Sequence, residues 1–339
     1  MTGILHRGGR IVDRRSGFFV ALAATLWVAD RYFRPALVTH MAATQIVFAE
    51  DVLITLFLLP LLPGAVRSVR GLSRRTWLAL LVVGIGPQAL ATALFTWSLT
   101  FAFPAHGAPQ PDVANEVYLL YLAQPLVAIS LARLVLHERR RRTYWPLALL
   151  ALAGVYLIVF QEDATAPFSS LSHGRVEAAL LVLGAVALWG SGTVLGRYAL
   201  RAVAPIYVAT LRFVIALPVL LVLLLVDRGG AAFSGYSVSQ LPSLLGIALI
   251  PGVLAMLLYY RALRGTPAST ATIAELAYPA ALFLAFSLPS PVGVGAPLHP
   301  VAIAGTACLV VAVTSLTVLR GRAVTLPRGR TAQPAPASS

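Results

Sequence analysis

Three ionisable side chains, Glu50, Arg212 and Glu275, stand inside long apolar runs. An uncompensated charge at that depth costs at least about 2.5 kcal/mol, so it is read first as functional. A carboxylate there can carry a proton or hold a cationic solute. Arg212 and Glu275 lie at similar depth in their runs, where they could pair. Two readings stay open for that pair: a structural ion bridge between helices, or part of a solute site. Glu50 is expected to face a cavity. Its neighbour Asp51 points about 100° away on a helix and need not share it. Gln88, Gln124, Tyr121, Trp97, Tyr259 and Tyr260 are candidate lining groups, with plain packing or an interfacial aromatic belt as the alternative.

Catalytic chemistry finds little support. The chain has no H-E-x-x-H, G-x-S-x-G or G-x-x-x-x-G-K-[ST] motif. Its six histidines are scattered without metal-ligand spacing, and the one cysteine, Cys308, excludes an internal disulfide. No enzyme activity, metal or cofactor is expected.

The elements that position these residues follow from composition. Of 339 residues, 58% are apolar and 11% charged. A soluble domain carries roughly 25% charged residues, so this chain cannot cover a water-facing surface and is read as an integral membrane protein. A spanning helix needs about 20 mostly apolar residues. Ten runs qualify: Ser16–Phe33, His40–Leu62, Thr76–Phe101, Ala114–Leu136, Tyr144–Phe160, Val176–Gly196, Pro205–Val226, Leu241–Tyr260, Ala268–Leu288 and Pro300–Leu319. Their length and lack of strict alternation favour helices over barrel strands.

The net charge of +14 comes from arginine alone, since lysine is absent. The arginines follow loop parity. They crowd the first tail (Arg7, Arg10, Arg14, Arg15), alternate loops (Arg67 to Arg75, Arg139 to Arg142, Arg197 and Arg201, Arg261 and Arg264) and the last tail. The opposite loops hold Arg31, Arg34, Arg175 and Arg228. The excess of positive charge on one side places both tails in the cytoplasm and makes a nucleic-acid partner a poor reading. The expected setting is the cell (inner or plasma) membrane, crossed many times.

Markers recur in order roughly 150 to 165 residues apart. Thr25-Leu26-Trp27 is matched by Ala187-Leu188-Trp189, Glu50 by Arg212, Pro87 by Pro251, Pro125 by Pro279, and Tyr121 by Glu275. Each half therefore holds five spans. Five is odd, so the second half enters from the opposite side. The fold class expected is all-α, with ten transmembrane helices in two inverted five-helix repeats, an architecture associated with secondary transporters. The boundaries are a tail at 1–15, repeats at 16–160 and 176–319, an external linker at 161–175, and a disordered tail at 320–339. Pro87, Pro125, Pro251 and Pro279 interrupt spans as candidate helix breaks or hinges, where freed carbonyls must line a cavity or meet partners. Without a nucleotide site, concentrative transport would draw on an ion gradient, with protons one candidate, or on the membrane potential; otherwise transport is facilitated. The partners implied are a small-molecule solute and the bilayer. A membrane-embedded enzyme or a non-transporting scaffold is the alternative.

Tyr259-Tyr260-Arg261-Ala262-Leu263, with Thr266-Pro267-Ala268 and Leu276 to Pro279, resembles the signature region of EamA-type permeases in the drug/metabolite transporter superfamily. Pro125, Glu138-Arg139, Ala153 to Leu157 and Leu211-Arg212-Phe213 are similar to further motifs of that family, over roughly Phe18 to Val318. The first repeat departs from it with Glu50, where the family commonly has arginine. The second departs near Pro289 to Val294, where it often has a glutamate like Glu138. The resemblance implies a ten-helix carrier with alternating access that exports small metabolites, amino acids or drugs.

Overall fold

The structure, a computed structural model, describes residues 15–104, 113, 117, 120, 121, 123–140, 142–160, 173–289 and 300–318. Most of the expected tails and of the 161–175 linker lie outside them.

Every regular element among the described residues is helical. An apolar chain in hydrocarbon must satisfy each backbone group within its own segment, and the helix does this. The first apolar run forms α1 (Ser16–Leu26) and α2 (Asp30–Val38), joined by a single 3₁₀ turn, Trp27–Ala29. The next forms α3 (Ala43–Leu58) and α4 (Leu62–Ser68), broken by Pro60. Ser73 then caps α5 (Arg74–Val83), accepting a hydrogen bond from the Thr76 amide. After α6 (Ala91–Ala102) follow α7 (Gln124–Val135) and α8 (Tyr144–Phe160). The longest helices are α9 (His173–Ala199) and α10 (Pro205–Arg228). The rest are α11 (Leu241–Ile247), α12 (Ala255–Gly265), α13 (Ala268–Ala274), α14 (Ala277–Ser287) and α15 (Pro300–Val318).

Among the described residues, five helical stretches are long and apolar enough to cross a membrane: Ala43–Ser68, Arg74–Ala102, Val176–Ala199, Pro205–Ala231 and Val238–Gly265. Several outrun the apolar windows read from sequence. The helix continues past its last apolar residue until a capping or glycine turn stops it, as at Gly229 with φ +50°.

Two interruptions are alike. Between α5 and α6 the chain makes a π-helical turn, Gly84–Leu90, around Pro87. Between α11 and α12 it makes another, Ala248–Leu254, around Pro251. Proline removes an amide donor, and the wider turn relieves its ring clash without ending the helix. A third break lies at Glu275 and Leu276, between α13 and α14. There Leu276 and Tyr278 donate three residues back, to Ile273 and Glu275. The span expected at Ala268–Leu288 is therefore two helices meeting at a carboxylate.

Where helices cross closely, the side chain is missing. A Cβ on Gly192 of α9 would stand 2.6 Å from the Pro87 ring. Gly154 of α8 and Gly305 of α15 face each other so closely that a Cβ on either would lie 2.6 and 2.4 Å, respectively, from the other's carbonyl oxygen.

Polar bonds gather at two opposite ends. At one, Glu138 accepts from the Ala268 and Ser269 amides and the Ser269 hydroxyl, and Tyr144 donates to the Ser269 carbonyl. Arg197 donates there to the Leu263 and Arg264 carbonyls. At the other end, Thr44 bonds Asp227, and Gln45 donates to the Ala232 and Ser234 carbonyls. Each end thus joins a segment before the linker to one after it, or two segments after it.

Candidate functional site

The helix breaks converge on a cavity of about 150 Å³ inside the bundle. Its polar walls form three groups. In the first, Arg34 of α2 bonds Asp30 one turn earlier, at 2.7 Å, and Glu50 of α3, at 2.8 Å. It also donates to the Thr96 hydroxyl at 3.0 Å. Arg34 is only 3% exposed. A pair this buried needs all its hydrogen bonds, and here the guanidinium fork supplies them.

The second group surrounds Arg212 of α10. Its Nε donates to the Gln88 amide oxygen at 2.6 Å, and Gln88 Nε2 donates to Asp51 at 3.1 Å. Longer contacts of 3.4 Å reach the Tyr260 hydroxyl and the Pro87 carbonyl within the first π-turn. The third group holds Glu275 at its helix break. Gln124 Nε2 and the Tyr259 hydroxyl donate to it, each at 2.6 Å, and the Thr193 hydroxyl at 3.3 Å. All three donors are neutral.

Aromatic rings make the remaining wall. Trp189 lies 5.2 Å from Phe95 and 5.9 Å from Tyr121, which is 5.5 Å from Tyr278, centroid to centroid. Trp27 lies 5.6 Å from Tyr259. Edge-on and tilted rings at these separations pack a flat-sided chamber.

The residues singled out from sequence divide as follows. Glu50, Arg212, Glu275, Gln88, Gln124, Tyr121 and Tyr259 line the cavity, with Pro87 and Pro251. Tyr260 is fully buried outside the lining and touches it through Arg212. Trp97 is 45% exposed on the outer surface and is not part of the wall. On α6 the inward positions near it go to Phe95 and Thr96. Pro125 and Pro279 occupy the first turns of α7 and α14, where a missing amide hydrogen costs no helical bond.

Two expectations change. Arg212 and Glu275 form no ion pair; each is satisfied by neutral side chains, because Gln88 reaches the arginine and Gln124 and Tyr259 reach the carboxylate. Arg34 is not a loop arginine. The helix runs through Pro35, so Arg34 turns inward to Glu50. The Asp30–Arg34 spacing of one helical turn was the available signal. Asp51 lies behind the wall, wholly buried, and joins the site through Gln88. Trp27 reads in the sequence as a repeat marker and not as a lining group, and Thr193 was missed, since a threonine in an apolar helix carries no pattern of its own.

Comparison with known proteins agrees with this architecture. Residues 176–318 match the EamA-like transporter family. Over 315 residues the chain is 28% identical to the riboflavin transporter ImpX of Fusobacterium nucleatum subsp. nucleatum, covering 90% of this chain and 98% of that protein. A solved crystal structure superposes with a TM-score of 0.67 at 16% identity, over 91% of this chain and 99% of the other, which establishes a shared fold. With its apolar helices and buried polar chamber, the chain is a membrane transporter whose residues 176–318 match the EamA-like transporter family.

Proposed function

We propose that the protein is a secondary transporter that exports a small organic solute by alternating access. Ten spans in two inverted repeats, 16–160 and 176–319, would rock about the cavity, with both tails cytoplasmic. The matched π-turns at Pro87 and Pro251 support the repeat, and the arginine distribution supports the sidedness. One observation carries the reading. Arg212 and Glu275 face a common cavity and neither has an ionic partner among the described residues, so a solute or a proton can meet them without first breaking a salt bridge to one of those.

Glu275 is the proposed proton or cation site, and Arg212 the anchor for a solute acceptor. The aromatic walls suit a planar solute, and the likeness to a riboflavin transporter makes riboflavin the first solute to test. Purified protein in liposomes should move riboflavin or another planar metabolite down an imposed gradient, faster than protein-free liposomes. Absence of flux across a broad metabolite panel, together with chemical turnover of any member, would overturn the transporter reading in favour of an enzyme.

A further inference from the structure

Two buried polar atoms on residues of the cavity wall have no hydrogen-bond partner among the described residues: Gln124 Oε1 and Trp27 Nε1. Gln124 is 4% exposed, and its oxygen is shielded from the outer surface of the protein. Its orientation is not arbitrary. Glu275, as a carboxylate, accepts only, so the amide must turn its NH₂ toward it and leave the oxygen over. The indole of Trp27 is a donor only, and it lies 5.6 Å from the Tyr259 ring, whose hydroxyl is held by the same Glu275. The wall thus carries a buried acceptor bonded through its own amide to Glu275, and a buried donor on the ring that packs against Tyr259. Native interiors seldom leave such groups unmade, because each loses its water without replacement.

We infer that Gln124 Oε1 and Trp27 Nε1 read the donor–acceptor edge of the transported solute. The class of solute is a planar ring bearing a lactam, imide or carboxamide. Its N–H donates to Gln124 Oε1, and its C=O accepts from Trp27 Nε1. A cavity of about 150 Å³ admits a planar ring, and Phe95, Tyr121, Trp189 and Tyr278 supply aromatic surface to its wall. Glu275 then has a second role. By fixing Gln124 and Tyr259 it sets the polarity of the edge the site reads. This inference rests on the transport reading above and specifies what the site selects.

The test is a fluorescence titration of purified full-length protein with two probes. Lumazine is a fluorescent pteridine with an imide edge. 1,3-Dimethyllumazine keeps the ring and carbonyls and lacks both N–H groups. Wild type should bind lumazine about tenfold or more tightly than its dimethyl form. Gln124→Leu should bring the two within about twofold. Trp27→Phe keeps an aromatic ring but deletes the indole N–H together with part of the ring area; it should weaken both probes about three- to tenfold and leave their ratio unchanged. If Gln124→Leu does not fold, the probe pair on wild type and Trp27→Phe decide the matter. Equal binding of the two probes to wild type overturns the inference. So does failure of both to bind while the same protein moves another solute in liposomes, and the transporter reading then stands. Neither binding nor flux of any solute overturns both.

Discussion

Single side chains decide the electrostatics of this site. Arg34 bonds two carboxylates at once, so its loss should harm folding more than the loss of either partner. Arg34→Met leaves Asp30 and Glu50 without a cation and should cost about 3–5 kcal/mol, whereas Glu50→Gln keeps the Asp30 bond and should cost less. Melting curves of the two variants in detergent check the order. Glu275→Gln is a different case. It keeps the shape and can still bond Gln124 and Tyr259, so it should fold like wild type yet lose proton-coupled flux; normal pH-dependent flux in that variant would remove Glu275 from the mechanism. The sequence showed Glu50, Arg212 and Glu275 because charge inside an apolar run is conspicuous. It hid Arg34, since an arginine beside a proline near the end of a run looks like a loop residue. It also misassigned the Arg212 partner, because two long neutral amides outcompeted the expected ion bridge.

Helices here are shaped as much by their breaks as by their lengths. The two π-turns bring Pro87, Gln88, Pro251 and Gly252 to the cavity, and the break at Glu275 presents a carboxylate from a helix end. Such turns escape a reading by hydropathy, which registers apolar length and is blind to which carbonyl a given amide reaches. Pro87 and Pro251 did mark their places, because ring clash has a local cause, whereas Pro125 and Pro279 sit in first turns and Pro218 lies inside α10. The packing around Pro87 gives a sharp comparison. Gly192→Ala would put a methyl 2.6 Å from the proline ring and should destabilise the fold by about 1–3 kcal/mol. Gly230→Ala, with nothing within 4 Å, should stay within about 0.5 kcal/mol of wild type. Thermal melts of the two, measured side by side, test whether the π-turn is seated as described.

At the scale of the molecule, fold class was the most legible property. Apolar runs of the right length leave few alternatives to a helical membrane bundle, and α8 and α10 began at the residue where their runs began, Tyr144 and Pro205. Sidedness rests on arginine parity and is open to direct measurement. In a Cys308→Ala background, single cysteines at Gly71 and Ser239 should react with an impermeant maleimide from opposite faces of the membrane, Gly71 from the cytoplasmic one. Labelling of both from the same face would undo the inverted arrangement.

The crossing of Gly154 on Gly305 also bears on how this chain can change over generations. Neither glycine lines the cavity, yet neither can gain a side chain while the opposing backbone stays where it is. Substitution at either site alone meets a carbonyl oxygen, and a second substitution at the other only adds to the collision. The two positions are thus barred together, with no compensating double change between them. A saturation library selected for transport should find both sites nearly as intolerant as the cavity wall itself, for a reason that has nothing to do with the solute.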